Sequence, residues 1–162
     1  AVTFAEVLEF GKDYAAQTIK NAKALAVELH NLGFKVLGEK KGFTQSHQAV
    51  VNVLDYGDGG KIEADLEKAN IIVNRQLIPG DIKAKRHYMH PGGIRLGSSE
   101  VTRLGMKEPE MQQIASFIKN IIIDKKDGKD IAKQITEFRK KYQKTQYCFD
   151  NKLGAYEYVK LR

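Results

Sequence analysis

The chain has 162 residues, of which 42% are apolar, so it is long enough to bury one hydrophobic core. Its single cysteine, Cys148, excludes an internal disulfide and a zinc site built from several cysteines. No apolar run reaches the roughly twenty residues that span a bilayer, and the start of the chain has no signal-peptide pattern, so we expect a cytoplasmic protein without membrane contact.

The net charge of +7 raises the question of a nucleic-acid partner. Residues 119–144 contain nine Lys or Arg and four Asp or Glu, so this segment supplies five of the seven excess charges. Aromatic residues do not alternate with the basic ones, as a single-strand binder requires. The pattern therefore favours a solvated helix face and no specific binding of nucleic acid.

The first predicted element is a helix over residues 3–32. Its apolar residues recur near the helical period, Thr3 and Glu6 fit a capping box, and Gly33 is a helix-stop signal. Such a helix is about 45 Å long at about 1.5 Å per residue. Because a domain of this size does not need so long a helix, we expect part of it to extend beyond its own core.

After this helix, some segments have the composition of strands and others have the period of helices. The predicted strands lie at residues 34–37, 48–54, 71–73 and 93–96. One predicted helix ends near Lys68, and two more cover residues 108–123 and 129–142. The sequence therefore predicts an α+β domain with a small, largely antiparallel sheet covered by helices. We expect a single domain over residues 1–162, divided into a long helix (1–33), an α+β core (34–123) and a basic helix with a C-terminal tail (124–162).

Arg95 has the clearest functional signal. It lies in the segment Gly-Ile-Arg-Leu-Gly, where the small neighbours let a ligand approach the backbone. The planar guanidinium carries a fork of donors that suits a carboxylate or a phosphate. An arginine on a short strand is also often a solvated or ion-paired surface residue, so the pattern alone leaves both roles open.

Three segments together resemble a known family. Residues 70–79 have the sequence Asn-Ile-Ile-Val-Asn-Arg-Gln-Leu-Ile-Pro, residues 92–106 contain the Arg95 motif, and residues 107–115 have the sequence Lys-Glu-Pro-Glu-Met-Gln-Gln-Ile-Ala. In this order and spacing they resemble the C-terminal domain of serine hydroxymethyltransferases, which are pyridoxal-phosphate enzymes that move a one-carbon unit from serine to a pterin. The resemblance covers residues 3–123 of this chain and only the last part of the family's length.

The resemblance implies the fold of the small domain of fold-type I pyridoxal-phosphate enzymes, with residues 1–33 as the helix that connects it to a large domain. In this family the Schiff-base lysine and the acidic partner of the pyridine nitrogen lie in the large domain. We therefore expect no catalytic residue in this chain, which resembles a piece of a longer enzyme. The full enzyme is expected to be a homodimer that uses pyridoxal phosphate, serine or glycine, and either tetrahydrofolate or tetrahydromethanopterin.

The resemblance also implies roles for individual residues. Arg95 matches the family arginine that binds the α-carboxylate of the substrate. Asn74 and Gln76 occupy two asparagine positions on the pterin side, and Gln76 departs from the family residue by one extra methylene. Arg103 matches a family arginine that we expect to be secondary or structural, and His47 matches a histidine for which we expect a structural role.

The segment between these motifs, residues 80–92, is longer than in the common bacterial form and is compatible with an archaeal type. The spacing of His87 and His90 is compatible with a metal pair, but the sequence places no acidic or cysteine partner with them, so we expect no metal. We expect instead a mobile loop near the pterin entrance.

Two other functions remain open at this point. One is a freestanding small-molecule-binding or scaffold domain without catalysis. The other is a different fold-type I enzyme, which would share the carboxylate arginine but not the Asn-Arg-Gln context. A Schiff-base lysine in the reading frame upstream of Ala1 would distinguish these functions from the favoured one.

Overall fold

The computed structural model describes residues 2–150, which form one α+β unit. The helices are α1 (Val2–Asn31), α2 (Gly59–Glu67), α3 (Ser99–Arg103), α4 (Glu108–Ile122) and α5 (Gly128–Arg139). The strands are β1 (Lys35–Val36), β2 (Gln48–Asn52), β3 (Asn74–Gln76) and β4 (Gly93–Gly97). A short 3-10 helix at Glu39–Lys41 follows β1.

Helix α1 ends where the sequence predicts, but its start differs. Gly33 has φ +96°, and its N–H donates to the His30 carbonyl, which closes the last turn. Thr3 lies inside the helix, so the predicted capping box does not form. The Glu6 carboxylate instead accepts a hydrogen bond from Arg103 at 3.2 Å.

Only the second half of α1 packs into the core. Its buried residues are Thr18, Asn21, Ala22, Leu25, Ala26 and Leu29. Three apolar residues of the first half lie on one side of the helix and form an exposed apolar flank: Phe4 (79% exposed), Val7 (60%) and Leu8 (89%). Val2 is also exposed, at 67%. The helix therefore extends beyond its own core, as its length predicts.

The strands form an antiparallel sheet in the order β1-β2-β4-β3, and successive side chains of a strand point to opposite faces. One face packs against the helices and carries Ala49, Val51, Ile94 and Leu96, each at most 5% exposed. The opposite face, called the open face, carries Gln48, Val50, Asn52, Asn74, Gln76 and Arg95, which are half-buried or exposed. The predicted α+β class with a small antiparallel sheet is confirmed.

The third strand lies at Asn74–Gln76, whereas the sequence predicts it at residues 71–73. Asn70 has φ +62°, which turns the chain out of α2. The β-branched run after it reflects burial, because Val73 is 6% exposed and packs in the core. Ladder pairing begins only at the residue opposite Arg95.

Two helices also differ from the prediction. The sequence does not predict α3, which begins directly after β4. Helix α5 ends at Arg139, before the predicted end, and Tyr142 lies beyond it with its ring against Phe138. The part of the predicted tail beyond Asp150 lies outside the described residues. None of the helices in residues 2–150 is long and apolar enough to cross a membrane.

Candidate functional site

Arg95 lies in the middle of β4 and projects from the open face. Its neighbours Ile94 and Leu96 are 1% and 5% exposed in the core, so strand alternation sends the arginine to the other side. It is paired with Val50 of β2 on one side and with Asn74 of β3 on the other. None of the ion pairs formed within residues 2–150 includes Arg95. The rest of its guanidinium fork is therefore suited to an anion from outside this part of the chain.

Asn74 and Gln76 lie on β3 on the same face as Arg95, because they are two positions apart on one strand. The Arg95 Nη2 donates to the Asn74 Oδ1 at 3.2 Å, so the amide orients the guanidinium. Gln76 lies opposite Gly93, and its Nε2 donates to the Leu77 carbonyl at 3.0 Å. The structure thus brings together the three residues that the sequence predicts as ligand contacts.

Asp81 is a buried acidic residue that the sequence analysis missed. It is 2% exposed, and its Oδ2 accepts hydrogen bonds from the backbone N–H groups of Ile78 at 3.0 Å and Gly92 at 2.7 Å. Arg86 lies near its other oxygen, with 3.4 Å between Nε and Oδ1. Asp81 is the only acidic residue among residues 80–91, which contain three Lys or Arg and two His, and this contrast was the available signal.

The rest of this loop, residues 82–90, is exposed, and its last part contacts α2 and β3. The His90 Nδ1 lies 3.2 Å from the Asp58 Oδ2, and Asp58 also caps the N-terminus of α2. The hydrogen bond from the Lys61 N–H holds the pKa of the Asp58 carboxyl below its usual value, and His90 adds to this effect. Within the described residues, no group of three or more His, Cys, Asp or Glu side chains is arranged to hold a metal ion.

Arg103 lies on α3, and its contacts are away from the open face. Its Nη1 donates to the Tyr147 carbonyl at 2.6 Å, and its Nη2 donates to Glu6 of α1. These contacts connect the first half of α1 to α3 and to the segment after α5. We expect Arg103 to act on the position of α1.

His47 precedes β2 and is exposed. Its carbonyl accepts a hydrogen bond from the Ser98 N–H at 3.0 Å, and the Ser98 Oγ lies 3.2 Å from the same oxygen. Its ring Nε2 lies 2.8 Å from the Gln48 Nε2. The backbone of His47 therefore holds the start of β2 against the end of β4, while its ring contacts an open-face amide.

A buried polar network fixes the end of β4 to α1. The Ser98 Oγ donates to the Thr18 carbonyl at 2.8 Å. The Asn21 Nδ2 donates to the Thr102 Oγ1 at 2.8 Å and to the Met106 carbonyl at 2.9 Å. This network was not predicted from the sequence, although a polar Asn21 inside the apolar stripe of α1 was a visible signal. The strand that carries the candidate arginine is therefore anchored at its C-terminal end.

A cavity of about 270 Å³ lies on the helix side of the sheet. Its lining is mostly apolar and includes Leu25, Val73, Leu96, Met111, Phe117 and Phe138. Leu96 points to the core, whereas Arg95 points to the open face, so this cavity and the candidate arginine lie on opposite sides of the sheet. The cavity is not part of the proposed ligand site.

The architecture of a long helix and a helix-covered antiparallel sheet with an arginine on its open face is that of the small domain of fold-type I pyridoxal-phosphate enzymes. The chain is similar to the crystal structure of L-threonine transaldolase from Pseudomonas fluorescens in its internal aldimine state, with a TM-score of 0.81 and 39% identity. The match covers 94% of this chain and 34% of the transaldolase chain.

The family model for serine hydroxymethyltransferase matches residues 1–118. The chain is 75% identical over its whole length to a serine hydroxymethyltransferase of Nitrosopumilus maritimus and 68% identical to that of Cenarchaeum symbiosum. A third relative, from Korarchaeum cryptofilum, is 49% identical over 158 residues. The chain belongs to the serine hydroxymethyltransferase family, as the sequence motifs predict, and these archaeal relatives agree with the expected archaeal type. It spans 37% of the length of the first two relatives and 36% of the third.

Proposed function

We propose that this chain supplies the substrate-carboxylate contact and the pterin-side contacts of a serine hydroxymethyltransferase. The whole enzyme would interconvert serine and glycine and transfer a one-carbon unit to a tetrahydropterin. The observation that carries this proposal is the position of Arg95, which projects from the open face, is oriented by Asn74 and enters no ion pair within residues 2–150. Membership of the family, at high identity to proteins of that name, supports the proposal.

The role proposed for Arg95 follows from the geometry of a guanidinium. Two parallel N–H groups bind the two oxygens of a carboxylate and fix the plane of that group as well as its distance. The orientation of the substrate relative to the reacting group is then fixed before the reaction begins. A lysine at this position would provide the charge without the planar fork.

The two amides of β3 are proposed to have different roles. The Asn74 Oδ1 accepts the hydrogen bond from Arg95, so Asn74 acts mainly by orienting that side chain. Gln76 is the amide proposed to face the pterin, because an amide offers both a donor and an acceptor to the edge of a heterocycle. Its hydrogen bond to the Leu77 carbonyl uses one of the two Nε2 hydrogens, so the Oε1 and the second N–H can serve that contact. Either tetrahydrofolate or tetrahydromethanopterin is compatible with this pairing.

Pyridoxal phosphate would supply the electron sink for cleavage of a bond to the substrate α-carbon. The described residues of this chain do not suit attachment of this group, because a Schiff-base lysine needs an enclosed site that favours its neutral form. Every lysine in residues 2–150 is exposed except Lys119, which is half-buried and ion-paired with Asp124 at 2.7 Å. We therefore assign the cofactor to the large domain, which this chain does not include.

The proposed place of the chain in the enzyme is that of one domain joined to the large domain through α1. The apolar flank of α1 supports this proposal, because exposed apolar residues at one end of a helix are suited to burial against another part of the protein. We further propose that the complete enzyme is a homodimer and acts in the cytoplasm.

The proposal is tested with Arg95→Lys in the full-length enzyme. A hydrogen bond to a charged group contributes about 1.5–3 kcal/mol, so loss of the fork lowers kcat/KM for serine by about ten- to hundredfold. Binding of aminoethanol, which lacks the carboxylate, should change little. Arg75→Lys is the matched control, because Arg75 lies on the adjacent strand, points to the other face and is ion-paired with Glu63.

The selectivity of the defect is the decisive measurement. Equal weakening of serine and aminoethanol by Arg95→Lys would show that Arg95 is structural. Unchanged use of serine would also contradict the proposal, as would an equal loss in the Arg75→Lys control.

A further inference from the structure

Asp81 is a carboxylate that is buried at the base of an exposed loop. It is 2% exposed, whereas each residue from 82 to 90 is exposed. Its Oδ2 accepts hydrogen bonds from the N–H groups of Ile78 and Gly92, at 3.0 and 2.7 Å. Two hydrogen bonds from backbone N–H groups to a buried carboxylate hold these parts of the chain together strongly. If the bonds break, the carboxylate and the N–H groups remain buried without partners, which costs free energy.

The two backbone groups that Asp81 joins flank the candidate site. Ile78 lies two residues after Gln76, and Gly92 lies three residues before Arg95. The carbonyl of Gly92 also accepts a hydrogen bond from the Val53 N–H at 2.9 Å. The start of β4 is therefore held from both sides, by Asp81 and by the residue that follows β2.

Close packing removes the remaining freedom at this junction. A Cβ added to Gly92 would lie 2.7 Å from the Asp81 Oδ1 and 2.9 Å from the Ile78 Cδ1. A Cβ on Gly93 would collide with the Ile78 Cγ2. Ile78 and Asp81 thus pack directly on the two glycines, and a shift of Asp81 is transmitted to the backbone of β4.

Strand β3 depends on such a tie because it is short and lies at the edge of the sheet. It has three residues, and within residues 2–150 it pairs with β4 alone. A shift of one residue in the register of an edge strand would move Asn74 and Gln76 to the other face. The contacts beyond the ladder therefore decide how firmly these amides stay beside Arg95.

We propose that Asp81 is a positioning residue that fixes the end of β3 to the start of β4 and so sets the placement of Arg95 beside Asn74 and Gln76. This inference rests on the proposed function of Arg95 as the carboxylate contact. Asp81 itself does not touch the substrate, and its effect passes through the backbone of Ile78 and Gly92.

The test compares three variants of the full-length enzyme. Asp81→Ala removes the acceptor and should lower the affinity for serine at least tenfold while leaving the affinity for aminoethanol within about twofold. Asp81→Asn retains an oxygen that can accept both N–H groups, and it should keep serine affinity within about threefold of the parent enzyme. Asp127→Ala is the stability control, because Asp127 caps α5 through the Lys129 N–H and should leave both affinities unchanged.

Hydrogen exchange gives a readout that does not depend on activity. In Asp81→Ala the amides of Ile78 and Gly92 should exchange at least tenfold faster, because their acceptor is gone. Amides in the buried part of α4 should keep their protection. Unchanged exchange at both sites would show that the carboxylate is not their acceptor in solution and would overturn the inference.

Gly92→Ala keeps the inference testable if Asp81→Ala fails to fold. The added Cβ would lie 2.7 Å from the Asp81 Oδ1 and 2.9 Å from the Ile78 Cδ1, so it disturbs the contact between Asp81, Ile78 and Gly92 without removing the charge of Asp81, and the same selective loss of serine affinity is expected. Unchanged serine affinity in a folded variant of either kind overturns the inference, and so does an equal loss of affinity for serine and aminoethanol.

Arg95→Lys in the same series separates the positioning role of Asp81 from the proposed function of Arg95. If Arg95→Lys loses serine affinity selectively and the Asp81 variants do not, the positioning role alone is refuted. If Arg95→Lys shows no selective loss of serine affinity, the proposed function is refuted and this inference with it.

Discussion

Asn21→Ala tests the network that anchors the end of β4 to α1. Asn21 is fully buried, and its Nδ2 donates to the Thr102 Oγ1 and to the Met106 carbonyl at 2.8 and 2.9 Å. Its Oδ1 accepts a hydrogen bond from the Gln17 Nε2 at 2.9 Å. An alanine removes all of these bonds and leaves the Met106 carbonyl without this donor.

The size of the effect follows from two opposing contributions. A buried polar group that loses its partner costs about 1–3 kcal/mol, and the two acceptors of the Asn21 amide together give about 3 kcal/mol. Alanine has the better helix propensity, which returns about 0.5 kcal/mol. We expect a net loss of about 2–3 kcal/mol in the free energy of unfolding. For a domain of this size that corresponds to a fall in Tm of about 5–10 °C.

The assay is urea unfolding of the chain, followed by circular dichroism. Thr18→Val is the matched control, because Thr18 is also buried on α1 and its hydroxyl has no hydrogen-bond partner among the described residues. Valine removes that unpaired hydroxyl, so the free energy of unfolding of Thr18→Val should be unchanged or raised by about 1 kcal/mol. A loss below about 1 kcal/mol for Asn21→Ala, or an equal loss in Thr18→Val, would refute the assignment of the network.

Two further predictions concern α1 and the end of α5. The exposed apolar flank of α1 should make the isolated chain self-associate in sedimentation velocity. Leu8→Glu should reduce this self-association, because Leu8 is 89% exposed on the flank, whereas Ile82→Glu, at an 85% exposed site off the flank, should not. Burial and the hydrogen bond to Glu110 raise the pKa of Tyr142 to about 12, whereas its value in the unfolded chain is about 10. Tyr142 therefore contributes fully to stability below pH 10, and this contribution is lost as the pH rises toward 12. Tyr142→Phe should remove that part of the pH dependence of unfolding, and the same decline in both proteins would contradict the pKa assignment.

Much of the fold could be predicted because it follows from local periodicity. The helical period and Gly33 predict α1 and its end, and the composition of residues 93–96 predicts the strand β4. The β-branched run at residues 71–73 was wrongly predicted as the third strand, because β-branched residues are favoured both by burial in the core and by pairing in a sheet. Helix α3 is too short, at five residues, for a period to be visible.

The candidate site was predicted in part for a similar reason. The motifs select Arg95, Asn74 and Gln76, and antiparallel pairing of β3 with β4 brings them onto one face. The role of Asp81 could not be derived in this way, because nothing in the spacing of a basic loop shows which polar residue is buried.

By itself, the sequence determined the family, the α+β class and the long helix with its exposed apolar end, and it selected Arg95 as the candidate arginine. These properties depend on residue identity and on periods of a few residues, which a single chain displays directly. The tertiary structure alone decided the partners of the buried polar groups, as in Asn21 with Thr102 and Met106, across separations of 81 and 85 residues. It also decided that Asp81 joins the ends of β3 and β4. The physical reason is that a buried polar group must find a partner, and packing, not sequence distance, determines which one is within reach.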